Sequence, residues 1–337
     1  MNTRTRRNDG HSVVKPRFPR DCGSKFIMAS LGEKTNIAST EQRVAVVTGG
    51  SKGIGLEICR QLASENITVV LTARNESRGL EATKKLKDSG LLNIVFHQLD
   101  VKNPTSITRL TEFVESQFKK LDILVNNAAE SGIIVDYDKF RAFKEGMGYA
   151  YVNDENAHLV APIIDQPYDL GEECMKTNYY GAKAVAEAFL PLLRLSNSPR
   201  IVNVSSNYGE LHWISNETVK AEFLDFDNLS EEKIDGIIQR FFKDLKDNKL
   251  QENGWPLTCT AYKISKAAIN AYTRLLAKKF PNILVNCVHP GYVKTDITSH
   301  TGLLTPEEGA KAPVMVALLP DDAPSGVYFS QMEISSF

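Results

Sequence analysis

From Arg43 onward, short β-branched runs alternate with longer helical stretches, and few folds accommodate that alternation. Apolar runs too short for helices, each followed by a segment long enough to cross back, build βαβ units and a parallel sheet covered on both faces. The pattern predicts strands at Val44–Thr48, Ile67–Leu71, Asn93–Leu99, Leu121–Val125, Arg200–Ser205 and Ile283–His289, with a weaker one at Val327–Ser330. Helices are expected at 54–65, 77–88, 104–119, 169–194 and 261–279, the third opened by an Asn103 cap and Pro104 at the first helical position. The expected fold is α/β: a Rossmann-type, doubly wound parallel sheet of six to seven strands with helices on both faces, in one domain over residues 41–337.

Two stretches exceed what such a unit needs. Residues 130–168 are mixed and tyrosine-rich, and residues 207–258 carry a charged helical segment around Glu231–Lys249. Both follow strand C-termini, where open α/β sheets bind ligands, so both are expected as insertions beside a substrate site.

Composition removes several alternatives. A formal net charge of −1 provides no field for nucleic acid or an anionic membrane, and no basic stripe with interleaved aromatics interrupts the body. Cys22, Cys59, Cys174, Cys259 and Cys287 are odd in number and lack C-x-x-C spacing, as expected of reduced cytoplasmic thiols. Asn203 of one N-x-[ST] match lies inside the apolar run Ile201–Val204, which disfavours secretion. No apolar run approaches the roughly 20 residues of a membrane-spanning helix. Residues 1–27 carry seven Lys/Arg against two Asp/Glu, suiting a disordered basic tail or an organelle transit peptide, and Met28-Ala29-Ser30 resembles an alternative start. The extension over residues 1–40 is therefore expected to be disordered and without chemistry.

The first strand runs into Thr48-Gly49-Gly50-Ser51-Lys52-Gly53-Ile54-Gly55, a glycine-rich turn opening a helix. At that position missing Cβ atoms let the backbone approach a pyrophosphate at the helix N-terminus. Such a turn is informative only because a strand precedes it and a helix follows. At the end of the second strand, where NAD enzymes carry an acid for the ribose 2′-hydroxyl, the chain reads Leu71-Thr72-Ala73-Arg74. Arg74 can form a planar fork on a 2′-phosphate and Lys52 can add a point charge, so the expected cofactor is NADPH/NADP+.

Reducing a carbonyl with a nicotinamide also requires an acid for the developing oxygen charge. The six histidines show no metal-ligand spacing, so no metal is expected and an organic acid must serve. Tyr262 and Lys266 stand one helical turn apart, where the ammonium is expected to lower the phenol pKa. Tyr179 and Lys183 repeat the spacing. Tyr262, which opens a helix after the fifth strand, can face Ser206; Tyr179, inside a longer helix, reads as packing or at best a substrate contact.

Together, Thr48-Gly49-x-x-x-Gly53-x-Gly55, Asn126-Asn127-Ala128-Ala129, Asn178, Ser205-Ser206, Tyr262-x-x-x-Lys266 and Pro290-Gly291 resemble the short-chain dehydrogenase/reductase family over residues 43–337. The resemblance implies Tyr262 as acid/base, Ser206 as a hydrogen bond to the carbonyl, Lys266 on the nicotinamide ribose and Asn178 holding a water for proton relay. It further implies cofactor contacts from Asp100 and Val101 at the adenine, Asn126 and Ala128 near the sugar, and Pro290, Gly291, Val293 and Thr295 beside the nicotinamide. Ala129 stands where the family usually has glycine.

The long interval from Ser206 to Tyr262 resembles carbonyl reductases and the plant salutaridine, menthone and neomenthol reductases. So do Asn253-Gly254-Trp255-Pro256 and Pro320-Asp321-Asp322-x-Pro324-Ser325-Gly326. In that branch the inserted helix covers the usual dimer surface, implying a monomer, and the activity implied is NADPH-dependent reduction of a ketone on a hydrophobic terpenoid or alkaloid. Reduction of a conjugated C=C bond and non-catalytic NADPH binding are the alternatives. Substrate walls are expected from 130–168, from the segment bearing Tyr208, His212 and Trp213, and from 297–305; for His212 and Trp213 the sequence leaves a structural role equally open.

Overall fold

The computed structural model describes residues 42–148 and 152–336. The expectations for residues 1–40, and for Cys22, lie outside these.

β1 (Val44–Val47), β2 (Thr68–Ala73), β3 (Ile94–Gln98), β4 (Ile123–Asn126), β7 (Arg200–Val204), β8 (Leu284–His289) and β9 (Tyr328–Ser330) form a parallel sheet in the order β9-β8-β7-β4-β1-β2-β3. β10 (Glu333–Ser335) extends it antiparallel to β9, making eight strands among the described residues. The sequence pattern missed β10 because all three of its residues are exposed and carry no core signal.

The helices are α1 (Gly53–Ser64), α2 (Glu76–Asp88), α3 (Pro104–Phe118), α4 (Tyr137–Gly146), α5 (Ala157–Val160), α6 (Tyr168–Met175), α7 (Ala182–Leu193), α8 (Glu217–Leu224), α9 (Glu231–Lys246), α10 (Thr260–Lys279) and α11 (Pro306–Ala317). Strand parity divides the interior in two. Val46, Val70, Leu124 and Ile201 pack against α3, α7 and α10, while Ala45, Val47, Leu71, Ile123 and Val125 pack against α1, α2 and α11. Asn103 caps α3 as expected, its Oδ1 accepting from the N–H groups of Thr105 (3.0 Å) and Ser106 (3.3 Å).

The helix expected over 169–194 is continuous but changes pitch in its middle. α6 and α7 are joined by a π-helical turn at Lys176–Gly181, an arrangement that often re-aims a functional side chain, and Asn178 sits in it. Residues 130–168 hold α4, α5 and a small antiparallel pair, β5 (Ile134–Val135) with β6 (Ile164–Asp165), around a separate apolar cluster of Phe140, Val152, Val160 and Ile164. Residues 207–258 contribute α8 and α9, and α9 packs its Phe241 against Trp255 (5.5 Å between rings) and Phe242 against Tyr168 (5.5 Å). The strand order reverses between β1 and β4, which leaves a crevice at their C-terminal ends.

Candidate active site

A cavity of about 830 Å³ runs along these strand ends. The glycine turn follows β1, Arg74 follows β2, Asp100 and Val101 follow β3, Ala128 follows β4, Ser206 follows β7, and Pro290-Gly291 follow β8; all line it. Ser51, Lys52, Val293, Thr295, Tyr262 and Lys266 line it as well.

At one end the backbone forms a cradle. Gly49 has φ 67°, and a Cβ at Gly55 would lie 2.3 Å from the Gly49 carbonyl oxygen, so only glycine lets the turn fold on itself beside the cavity. Asn127 fixes this turn: its Nδ2 donates to the carbonyls of Thr48 (2.9 Å) and Gly49 (3.2 Å). Thr48 Oγ1 in turn accepts from the N–H groups of Asn127 and Ala128, both at 2.9 Å.

Asn126, expected near the sugar, does not line the cavity. Asn126 and Asn203 are cross-strand partners, and Asn126 donates to Asn203 Oδ1 (2.9 Å) and the Ala182 carbonyl (3.3 Å), away from the cavity that Asn127 lines. Consecutive strand residues point to opposite faces, and this parity separates the two asparagines.

Near the cradle, Arg74 pairs with Glu130 at 3.0 Å and Lys52 pairs with Asp296, so each expected phosphate-binding cation already has a carboxylate partner. Both are largely exposed and exchange partners cheaply. Arg78, one helical turn beyond Arg74, lines the same wall and was not singled out from sequence.

At the other end stand the reactive side chains. Ser206 leaves β7 in extended conformation and its Oγ accepts from the Tyr208 N–H (3.2 Å). Cys259, at φ 47°, turns the chain into α10 and sets Tyr262 in its first turn. Lys266 is 3% exposed; its ammonium donates to the Val204 carbonyl (2.8 Å) and lies 5.5 Å from the Tyr262 ring centre.

The expectation that Lys266 leaves a depressed tyrosine pKa is corrected. Burial pushes the Tyr262 phenol up, with the Ser206 hydroxyl pulling the other way, while burial also pushes Lys266 down to about 8. Desolvation is the largest cause at both groups.

Asn178 does not line the cavity. Its Oδ1 accepts from the Glu130 N–H (2.8 Å), and its Nδ2 donates to the Glu130 carbonyl (3.0 Å) and to Ser265 Oγ (3.0 Å), whose hydroxyl bonds the Tyr262 carbonyl (2.8 Å). It thus ties the segment after β4 to the turn of α10 that bears Tyr262.

Tyr179 is fully buried, 6.1 Å from Tyr272 ring to ring, and Lys183 pairs with Glu231 at 2.6 Å, so the second Y-x-x-x-K is packing. Of the expected substrate walls, the 130–168 stretch (through Glu130, Ile133, Phe140, Lys144 and Val152), Tyr208 and the 297–300 segment line the cavity. Trp213 stands behind, edge-on to Tyr208 at 5.3 Å, and His212 is exposed beside Glu210.

The family model described as short chain dehydrogenase matches residues 43–221. This chain is a short-chain dehydrogenase/reductase. A second model, described as enoyl-(acyl carrier protein) reductase, matches residues 250–323 of the same reductase. Salutaridine reductase of Papaver bracteatum is 51% identical over 308 residues, spanning 88% of this chain and 97% of that protein. The (+)-neomenthol dehydrogenase of Arabidopsis thaliana is 52% identical over 305 residues, spanning 89% and 100%. Among solved structures, salutaridine reductase from Papaver somniferum superposes with a TM-score of 0.79 at 48% identity, covering 86% of this reductase and 99% of that chain. The reductase assignment therefore stands on sequence and fold together.

Proposed function

We propose that this enzyme reduces a ketone on a hydrophobic terpenoid or alkaloid to a secondary alcohol with NADPH, reversibly, with Tyr262 as acid/base. The observation that carries the reading is that Ser206, Tyr262 and Lys266 line the same cavity as the glycine cradle. The relatives act by their names on salutaridine and neomenthol, which supports the substrate class.

The residues fit a dinucleotide: the cradle at Gly49–Gly55 suits a pyrophosphate, and Arg74, Arg78 and Lys52 suit a 2′-phosphate. Once bound, NADPH supplies the hydride. Ser206 Oγ hydrogen-bonds the carbonyl oxygen, and Tyr262 Oη delivers its proton there as negative charge develops. The buried Lys266 ammonium holds positive charge beside that oxygen and orients the ribose. Asn178 keeps the Tyr262 turn in register through Ser265 and Glu130. A raised phenol pKa suits this direction, because the donor stays protonated at neutral pH.

We also propose a monomer, since α9 lies against α6 and α10 through Phe241 and Phe242. The testing experiment follows cofactor consumption, NADPH against NADH, over monoterpene ketones, alkaloid ketones and quinones. Turnover of a bulky ketone with NADPH supports the reading; NADPH binding without carbonyl turnover, or reduction of an enone at its C=C bond, overturns it.

A further inference from the structure

Resting on that reading, and narrowing it to its terpenoid arm because alkaloid amines are protonated at neutral pH, we propose that Lys144 puts a positive charge at the substrate end of the cavity, so that the site favours ketones bearing a carboxylate or other anionic group over ketones bearing an ammonium. Lys144 lies on α4, within the insertion, is 2% exposed, and lines the cavity that contains Tyr262. Its ammonium stands 4.8 Å from the centre of the Tyr292 ring and lies within electrostatic reach of Cys259.

These two neighbours locate the charge. Tyr292 directly follows Pro290-Gly291, and Cys259 precedes Tyr262 by one turn of chain, so Lys144 belongs to the reacting end rather than the phosphate end. The same cavity is lined by the apolar and aromatic side chains of Phe140, Val152 and Tyr208. In such surroundings a substrate charge is felt far more strongly than in water, with either sign. Burial pushes the ammonium down to about 8, which still leaves it mostly protonated at pH 7. A lysine offers three donors, so a bond to protein is compatible with one to substrate. Lys266, also cationic and on the same cavity, acts in the same direction.

The test uses three ketones on one ring at pH 7 with NADPH: 4-isopropylcyclohexanone, 4-oxocyclohexanecarboxylate and 4-(dimethylamino)cyclohexanone, the last protonated. Wild type is expected to prefer the carboxylate to the amine by at least about tenfold in kcat/KM, as one poorly screened charge interaction allows. Lys144→Met is expected to bring that ratio, with each charged ketone referred to the neutral one on the same protein, down to about threefold or less, and Lys144→Arg to keep it. Should Lys144→Met not fold, Lys144→Gln runs the same comparison. A ratio unchanged in the uncharged variant, or absent in wild type, overturns the assignment of Lys144 alone. Failure of wild type to turn over any of the three overturns the ketone-reductase reading on which it rests.

Discussion

Replacing Asn127 and, separately, Asn126 by alanine asks which asparagine serves the cofactor. Asn127→Ala removes two hydrogen bonds, at 2.9 and 3.2 Å, that hold the Thr48 and Gly49 carbonyls. Each bond contributes about 0.5–1.5 kcal/mol net, so the turn loses roughly 1–3 kcal/mol of local restraint. If about half of that appears as cofactor affinity, NADPH binding weakens by roughly 2–13-fold. Asn126→Ala instead leaves Asn203 Oδ1 without its 2.9 Å donor inside the sheet. That change costs about 1–3 kcal/mol of stability and alters NADPH affinity by about twofold or less. NADPH fluorescence titration and denaturant unfolding of both variants separate the two outcomes. The reasoning is refuted if Asn126→Ala is the variant that loses affinity while Asn127→Ala binds like wild type.

Removing the guanidinium in Arg74→Ala should raise the Kd for NADPH by about tenfold, the scale of one charge-assisted hydrogen bond, and leave NADH binding nearly unchanged. Equal losses for both cofactors in parallel titrations would show that Arg74 does not meet the 2′-phosphate. The pH dependence follows from Tyr262, whose pKa burial raises. A group raised in this way stays protonated through neutrality, so ketone reduction should stay flat from pH 6 to about 7.5 while oxidation of the product alcohol climbs over the same window. Steady-state rates in both directions decide this, and a steep fall in reduction across that window would contradict it.

The central sheet was readable because most of its strands are short, buried Val/Ile/Leu-rich runs flanked by turns. α11 escaped despite Pro306 and the Thr305/Glu308 capping box, since Gly309 and Pro313 weaken any helical periodicity. α4 escaped for a different reason. At the inward position one turn after Phe140 it carries Lys144, and a lysine there reads as solvent-facing. The reactive residues were legible as a set in order along the chain, each at the end of a strand or the start of a helix. What sequence could not supply was direction: which of Asn126 and Asn127 turns to the cavity, that Asn178 faces the backbone of Glu130, and that burial governs Tyr262 more than Lys266 does.

The most direct test of the account is Tyr262→Phe, read by NADPH binding and by single-turnover reduction of a ketone that wild type accepts. The account predicts NADPH affinity within about threefold of wild type and a chemical step slowed by roughly 10²–10⁴, the contribution of a positioned proton donor. Reduction at the wild-type rate by a Tyr262→Phe protein that binds NADPH normally would contradict it.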